Sequence, residues 1–278
     1  MRITFLLPRY TRRPVGGYAV VYEYANRLQA RGHQVTLVHP RQADPLPGWS
    51  GRLRGWCWPH LKRRREPKLV AWFPLRGGVD VRLVPDLREA HIPRGDAVFA
   101  TSWHTAPWVN RYAASRGKKF YLVQHYETWA GPRDQVDATW RMPLHKVVIA
   151  RWLWELGESF GERSRMTYIP NGIDVDRFRL QTPIESRDRY RVAMLHHCYE
   201  WKGTSTGLAA LERVREQLPQ LDLVLFGNQP RGPGVPTWAT YVESPQGEEL
   251  VRLYNSCAIF VHPSWAEGWP LPPAEAMA

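Results

Sequence analysis

The residue types around Glu267 and Glu275 suit a ligand that carries hydroxyl and phosphate groups. Glu267 lies in a loop rich in proline and glycine, and Glu275 follows eight residues later at the start of a predicted helix. Carboxylates accept hydrogen bonds from paired hydroxyl groups. Lys202 stands before Gly203 and another predicted helix, where a cation beside unpaired helix amides suits phosphate. By position alone, Glu275 is equally a helix-dipole partner and Lys202 equally a solvated surface lysine.

A glycine pair in the first part of the chain is a further candidate. Gly16 and Gly17 lie in the loop after the first predicted strand, where a backbone without side chains can approach a diphosphate or an acceptor hydroxyl. A turn that does no more than start the following helix is an equally good interpretation.

Alternation of short apolar runs with amphipathic stretches predicts a doubly wound α/β fold in both halves of the chain. Short continuous apolar runs are typical of parallel strands that are covered on both faces. Strands are predicted at residues 2–7, 34–39, 79–84, 96–101, 119–124, 147–150, 166–169, 191–195, 221–226, 240–242 and 258–262. Helices are predicted at residues 18–30, 105–115, 152–160, 204–217 and 248–255, and a last one begins near residue 273.

Two Rossmann-like domains are predicted, residues 1–170 and residues 171–278. The boundary rests on the turn signal Pro170-Asn171-Gly172 and on the polar stretch 174–188, which offers little to a core. Only four strands are predicted after this boundary, fewer than a doubly wound domain normally has. We therefore expect the second domain to be incomplete and the chain to be a fragment of a longer protein.

Length and composition bound the function classes. The 278 residues are 44% hydrophobic and include 14 Trp, which excludes a disordered chain. The sequence has no signal peptide and no apolar run long enough to span a membrane, so a cytoplasmic protein is expected. Cys57, Cys198 and Cys257 are too far apart for a zinc or disulfide pattern. The net charge of +12 suits anionic lipid, nucleic acid and phosphorylated ligands equally.

Four spaced segments carry recognisable motifs. Residues 267–278 read E-G-W-P-L-P-P-A-E-A-M-A and follow Pro263-Ser264, residues 169–174 read I-P-N-G-I-D, and residues 201–203 read W-K-G. Taken in chain order, these segments resemble the motifs of family 4 retaining glycosyltransferases. Residues 169–174 resemble the interdomain I-P-N-G-V-D, and residues 201–203 resemble the donor-site K-G. Residues 263–278 resemble the P-S and the E-G-F-G-L-P-x-x-E-A-M-A signature that follows it. The resemblance implies the GT-B fold, in which two Rossmann-like domains face a cleft, with the donor in the second domain and the acceptor in the first.

Carried over residue by residue, the resemblance implies a donor site that needs no metal. Glu275 would bind the ribose hydroxyls of the nucleotide and Glu267 the hydroxyls of the donor sugar. Lys202 would neutralise the diphosphate as it leaves. The other predicted donor-site residues are Gly16, Gly17 and His197, together with Gly268, Trp269 and Leu271 through their backbone amides.

The acceptor side is predicted at the end of the strand that precedes His125. Family members often carry a histidine there that faces the donor sugar, so His125 is a third candidate catalytic residue, and a structural histidine is the alternative. Glu127 or His104 is expected to orient the acceptor hydroxyl. Trp103-His104 and Tyr126 suit a wall on which sugar rings stack, and packing in an aromatic core is the alternative for them.

Two features depart from the family pattern, and a third feature needs an interpretation of its own. His196 and His197 stand where the family usually has an arginine, and histidines are only partly charged near neutral pH, which weakens the expected stabilisation of diphosphate. Pro270 replaces a glycine and removes one backbone donor. Asp174-Val175-Asp176 has the spacing of a metal-binding D-x-D, but it lies inside the interdomain motif and is interpreted as capping and linker chemistry.

Residues 52–68 form the most basic segment and include Trp56 and Trp58. Cationic residues beside tryptophans suit an anionic membrane surface, on which a lipid-linked acceptor would lie, and a solvated variable loop is the alternative. This predicts peripheral attachment at the inner face of the membrane. No nucleic-acid recognition motif accompanies the charge, so nucleic acid is not an expected partner.

The predicted function is retaining transfer of a hexosyl or deoxyhexosyl group from a nucleotide sugar to a glycan or lipid-linked acceptor, in the synthesis of cell-surface polysaccharide or glycoconjugates. The nucleotide sugar is a co-substrate, and no metal or other cofactor is expected. Residues around Tyr241 and Val242 are expected to contact the base. One alternative is a GT-B sugar-nucleotide epimerase, and another is a non-catalytic basic protein that binds membranes or nucleic acid.

Overall fold

The computed structural model of the protein describes residues 1–41 and 70–278. The chain divides into two compact units, Met1–Asn171 and Gly172–Ala278. The described part of each unit contains a parallel β-sheet with helices in the connections between strands, so the predicted doubly wound α/β architecture is confirmed.

The sheet of the first unit has seven parallel strands in the order β3-β2-β1-β4-β5-β6-β7. Strands such as β1 and β4 are apolar and largely buried, as parallel strands covered on both faces must be. The strands are β1 (Arg2–Leu6), β2 (Gln34–Pro40), β3 (Asp80–Val84), β4 (Ala97–Ala100), β5 (Lys118–Val123), β6 (His145–Val148) and β7 (Met166–Tyr168), and the helices are α1 (Gly16–Ala30), α2 (Ala106–Arg111), α3 (Arg133–Trp140) and α4 (Arg151–Ser159).

Two helices of the first unit differ from the prediction. The helix expected at residues 105–115 is α2 followed by a 3-10 turn, because the backbone is extended at Tyr112, whose buried hydroxyl donates to the Leu87 carbonyl. Helix α3 was not predicted, because only Val136, Thr139 and Trp140 of its polar sequence are buried, too few for a clear helical period.

The second unit has four parallel strands in the order β10-β9-β8-β11. Alternate residues of β8 enter different cores: Val192 and Met194 pack with Leu211 beneath one face, and Ala193 packs with Tyr254 beneath the other. The strands are β8 (Asp188–Leu195), β9 (Asp222–Gly227), β10 (Thr240–Glu243) and β11 (Cys257–Val261), and the helices are α5 (Thr204–Gln217), α6 (Glu248–Ser256) and α7 (Leu271–Met277).

The stretch 174–188 contributes more to the core than its polar composition suggested. Phe178 is only 6% exposed and packs edge-on against Tyr254, with ring centroids 6.1 Å apart. Asp174 starts the turn that delivers it, since its carbonyl accepts the backbone N–H groups of Arg177 and Phe178. The prediction that this stretch offers little to a core was therefore wrong at Phe178, whereas the turn role of Asp174 agrees with its geometry.

Both sheets have a point where the strand order reverses, between β1 and β4 in the first unit and between β8 and β11 in the second. Ligands of doubly wound sheets bind outside the carboxyl ends of the strands at such points. In the second unit, residues 196–203 follow β8 and residues 262–270 follow β11, so these two loops meet at this edge.

None of the helices in residues 1–41 and 70–278 is both long enough and apolar enough to cross a membrane. Cys198 is exposed and Cys257 is buried, and both are free thiols.

Candidate functional site

Lys202 and Glu267 form an ion pair where the strand order of the second unit reverses. The Lys202 ammonium lies 2.8 Å from each of the two carboxylate oxygens of Glu267. The two side chains are 22% and 18% exposed, so solvent still reaches the pair. Lys202 ends a 3-10 turn after β8, and Glu267 lies in the loop after β11. The fold therefore brings together two residues that are 65 positions apart in the sequence.

Close contact between the two loops fixes this pair. The backbone carbonyl of Trp201 accepts hydrogen bonds from the Trp265 N–H at 2.8 Å and from the Ser264 hydroxyl at 3.1 Å. Gly203 has a left-handed φ of +65°, and a Cβ at this position would overlap the carbonyl oxygen of Pro263. Glycine is thus required at the residue that links Lys202 to helix α5.

The N-terminus of α5 lies against the same loop. The Thr204 hydroxyl donates to the His197 carbonyl at 2.9 Å and accepts the His197 N–H at 3.0 Å. The first backbone N–H groups of a helix have no partner within the helix, which makes this end favourable for an anion. A cation, helix amides and a carboxylate are therefore available at one edge of the sheet.

Histidines surround the ion pair but do not add a permanent charge. Burial, and then the nearby Lys202 ammonium, lower the pKa of His197 to about 4, so this ring is neutral at pH 7. Burial lowers the pKa of His196 and His262 as well. The His262 ring lies 3.6 Å from Glu267 through Nε2. Lys202 is thus the cation among these side chains.

Glu275 lies on α7 and is held by α6. The Tyr254 hydroxyl donates to Glu275 Oε2 at 2.9 Å. Burial raises the pKa of Glu275 above its ordinary value. Gly268 is buried in the segment between the two glutamates, Trp269 is partly exposed, and Leu271 starts α7. Tyr254 was not identified from the sequence, because it is the one aromatic residue of α6 and belongs to no motif.

The expected base-contacting region is the end of β10. The Tyr241 hydroxyl donates to the Gln229 carbonyl at 2.6 Å, and its ring meets His196 edge-on at 5.7 Å between centroids. Residues 229 and 241 are thereby held together beside the loop that follows β8.

The first unit places Glu127 beneath the loop after β4. Glu127 Oε2 accepts the backbone N–H of Trp103 at 2.7 Å. Burial raises the pKa of Glu127 to about 7, against the lowering effect of this hydrogen bond. The carboxyl is therefore poised to gain or lose a proton near neutral pH, a property suited to a group that orients a hydroxyl.

Trp103 packs within the protein, whereas Tyr126 is partly exposed. Trp103 is buried, its indole lies against Gly131, and its ring centroid lies 4.0 Å from that of His104. The Tyr126 hydroxyl donates to Asp137 on α3. The alternative of core packing was thus correct for Trp103. Burial and the charge of Arg9 lower the pKa of His104.

His125 lies between two exposed tryptophans. Its ring centroid is 6.4 Å from that of Trp129 and 5.6 Å from that of Trp152, with interplanar angles of 79° and 76°. His125 Nδ1 lies 3.1 Å from the Tyr126 carbonyl. Neither tryptophan was predicted as a site residue, because Trp129 lies in a loop, Trp152 lies in the first turn of α4, and exposure of a single ring leaves no periodic signal.

Gly16 and Gly17 form the first turn of α1. A Cβ at Gly17 would lie 3.4 Å from the Gln124 side chain, at the near limit of ordinary van der Waals contact. The preceding loop is fixed by Tyr18, whose hydroxyl donates to the Arg9 carbonyl at 2.8 Å and accepts the Arg9 N–H at 3.2 Å. These contacts hold the glycines near the carboxyl end of β1.

The basic segment 52–68 lies outside the described residues, and the prediction of membrane contact stays a prediction. Within residues 1–41 and 70–278, no group of three or more His, Cys, Asp or Glu side chains is arranged to hold a metal ion.

Solved structures of similar fold span nearly the whole chain. The catalytic domain of starch synthase IV from Arabidopsis thaliana, bound to ADP and acarbose, matches 99% of this chain and 80% of its own, with 13% identity and a TM-score of 0.64. The pneumococcal O-GlcNAc transferase in complex with UDP and GlcNAc matches 100% and 82%, with 10% identity and a TM-score of 0.63. An alpha-glucosyltransferase in complex with UDP and DNA matches 94% and 71%, with 11% identity and a TM-score of 0.59.

The chain has the GT-B fold. Residues 190–278 match the family model described as glycosyl transferases group 1. No curated protein sequence is significantly similar to the chain. The matched segment contains Lys202, Glu267 and Glu275, so the ion pair lies within the residues that are similar to this family model.

Glu127 makes the stability of the first unit depend on pH. Its pKa is about 7 in the folded protein and 4.5 as the ordinary value, so the folded state binds this proton more tightly. The contribution of this proton to the free energy of unfolding is fully present below pH 4.5 and is lost as the pH rises through 7. Glu127→Gln keeps an acceptor for the Trp103 N–H without a charge. Compared with the wild type, it is expected to stabilise the unit by about 2 to 3 kcal/mol at pH 8.5 and by much less at pH 5.

Denaturant unfolding at the two pH values measures this difference. Glu155→Gln, at an exposed glutamate of α4, is the matched control and should change stability little at either pH. An equal effect of Glu127→Gln at pH 5 and pH 8.5 would contradict the assignment of a buried titrating carboxyl.

Proposed function

We propose that the protein is a retaining glycosyltransferase that moves a sugar from a nucleotide sugar to a glycan or lipid-linked acceptor. The observation that carries the proposal is the Lys202–Glu267 pair beside the N-terminus of α5, within the segment that matches the group 1 glycosyl transferases. This edge combines a cation and helix amides for phosphate with a carboxylate for hydroxyl groups.

Each group has a chemical role in this proposal. The bond between the anomeric carbon and the diphosphate oxygen breaks, and negative charge grows on the diphosphate. Lys202 and the amides at the start of α5 stabilise that charge. Glu267 accepts hydrogen bonds from the donor sugar, and Glu275 does so from the ribose. In the free protein Lys202 is bound to Glu267, so donor binding must redistribute this ion pair.

The ligands of similar structures agree with a nucleotide-sugar donor. The starch synthase structure contains ADP, and the O-GlcNAc transferase and alpha-glucosyltransferase structures contain UDP. In this protein, we propose that the nucleotide lies at the second unit and that His125, Glu127 and His104 of the first unit serve the sugar and the acceptor. We further propose that the reaction needs no metal, because Lys202 and the helix amides supply the positive potential.

Nucleotide binding followed by a transfer assay tests the proposal. UDP, GDP, dTDP and ADP are titrated in thermal-shift experiments containing EDTA, and the matching nucleotide should stabilise the fold by about 2.7 kcal/mol at one hundred times its Kd. Sugar nucleotides of that base are then incubated with glycan and lipid-linked acceptors, and NMR of the product reports the anomeric configuration. Retention is expected. A new sugar nucleotide formed without acceptor would indicate an epimerase, and no binding of any nucleotide would overturn the proposal.

A further inference from the structure

Two tryptophans of the first unit expose their rings beside a histidine. Trp129 is 46% exposed and Trp152 is 37% exposed, whereas tryptophans are on average highly buried. Both rings stand nearly perpendicular to the imidazole of His125, at 6.4 and 5.6 Å between centroids. The three residues form one cluster, which we name the tryptophan platform.

The platform lies at the edge of the sheet where ligands of this architecture bind. His125 follows the carboxyl end of β5, Trp129 lies farther along the same loop, and Trp152 is in the first turn of α4, which follows β6. Strands β5 and β6 are neighbours in the sheet and pair in parallel, so their carboxyl ends adjoin. The platform is therefore assembled from the loop after β5 and the first turn of α4 rather than from one exposed stretch.

Its chemistry matches a pyranose ring. A pyranose has an apolar face of C–H groups that packs on an indole, and hydroxyl groups around its rim that need polar partners. The imidazole of His125 is the polar group that lies against both indoles. A nucleobase also stacks on tryptophan, but the phosphate-binding features described above belong to the second unit.

We propose that Trp129 and Trp152, on either side of His125, form a binding platform for a pyranose of the acceptor. The acceptor is accordingly a saccharide, free or carried on a lipid, and its sugar part rather than its carrier supplies the recognition. The inference rests on the proposed function for the identity of this sugar as acceptor. Sugar binding itself follows from the platform alone.

Saturation-transfer NMR without any nucleotide tests sugar binding. The probes are the methyl α- and β-pyranosides of glucose, galactose, mannose, N-acetylglucosamine and rhamnose, with the corresponding disaccharides. At least one of them should receive saturation at its C–H protons, and Trp129→Ala or Trp152→Ala should weaken its binding about tenfold. Tyr168→Ala, at another exposed aromatic residue of the same unit, is the matched control and should bind as the wild type does.

Steady-state kinetics then separate this inference from the proposed function. Both alanine variants should raise the acceptor KM about tenfold and leave kcat and the rate of donor hydrolysis without acceptor nearly unchanged. Trp129→Phe and Trp152→Phe, which keep an aromatic face, should recover most of the loss, and they serve in place of any alanine variant that does not fold. If the tryptophan variants bind the sugar as tightly as the wild type and have the same acceptor KM, the platform inference is wrong. The proposed donor site is not affected by that result.

A competition experiment with nucleotides tests whether a nucleobase, rather than a pyranose, occupies the platform. Displacement of the bound pyranoside by UMP or AMP, and loss of nucleotide binding in Trp129→Ala, would assign the platform to a nucleobase and overturn the inference. Nucleotide binding that persists in both tryptophan variants supports it. Failure of the wild type to bind any nucleotide, with pyranoside binding still dependent on the tryptophans, would contradict the proposed function and retain the sugar site.

Discussion

Replacing Lys202 by alanine is expected to lower kcat for sugar transfer by about a hundred- to a thousandfold. Removing one group that stabilises developing negative charge in a pre-organised site has this effect in acyl-transfer enzymes. The same reasoning applies to a departing diphosphate, because Lys202 is the charged group beside the N-terminus of α5, while the low pKa of His197 keeps that ring neutral. Steady-state kinetics with the donor that binds best in thermal-shift experiments give kcat and KM.

Arg213→Ala is the matched control for this experiment. It removes one positive charge from the same unit at an exposed position of α5 and should leave transfer unchanged. Glu267→Gln should also reduce transfer sharply, but with a higher donor KM, because it weakens a contact to the donor sugar. Transfer by Lys202→Ala within threefold of the wild type would contradict the role given to the lysine.

The ion pair between Lys202 and Glu267 in the protein without donor leads to a second expectation, which concerns stability. Lys202 and Glu267 hold each other in the absence of donor, so each single substitution removes the same interaction. Because the pair is partly solvated, a double-mutant cycle on unfolding should give a coupling of about 1 kcal/mol or less. The large loss of activity in Lys202→Ala therefore cannot come from instability. Activity and stability measured on the same variants separate the two effects.

The sequence predicted the elements well where local signals were strong. Helix α5 spans the predicted residues 204–217, because Gly203 precedes it with a left-handed φ and Pro219 stands just beyond its end. Helix α3 was missed because its few buried residues are embedded in polar sequence. Phe178 was missed for a similar reason, since one aromatic residue in a polar stretch gives no period.

The resemblance to glycosyltransferase motifs predicted Lys202 and Glu267 as donor-site residues but not the bond between them. That bond depends on the register of two strands, in which Val261 of β11 pairs with Met194 of β8 and so places the two following loops level. Exposure of Trp129 and burial of Trp103 also depend on tertiary packing, because both residues lie in loops after strands. Residue types thus indicated which chemistry is present, and the sheet register determines which groups meet.

A buried ion pair makes Lys146→Met the substitution with the largest expected loss of stability. Lys146 lies in β6 and is fully buried, and its ammonium donates to Glu162 at 2.6 Å and to the Met142 carbonyl at 2.7 Å. Arg165 also donates to Glu162. Burial raises the pKa of Glu162, but Lys146 and Arg165 together outweigh burial and lower this pKa below its ordinary value. Loss of the ammonium leaves a desolvated carboxylate with one partner, at a cost of about 3 kcal/mol.

The experiment must separate the effect of the lost charge from the effect of lost packing. Methionine is chosen because it fills most of the lysine volume. Lys146→Met/Glu162→Gln removes the orphaned charge and should recover part of the stability, whereas simple packing damage would make the double variant no better than the single one. Arg163→Ala is the control, because it breaks the exposed ion pair between Arg163 and Glu158. This substitution should change the unfolding free energy little. Hydrogen exchange should localise the loss to β6 and β7, since Lys146 pairs in register with Met166. A stability change equal to that of Arg163→Ala would show that burial does not set the energetics of this pair.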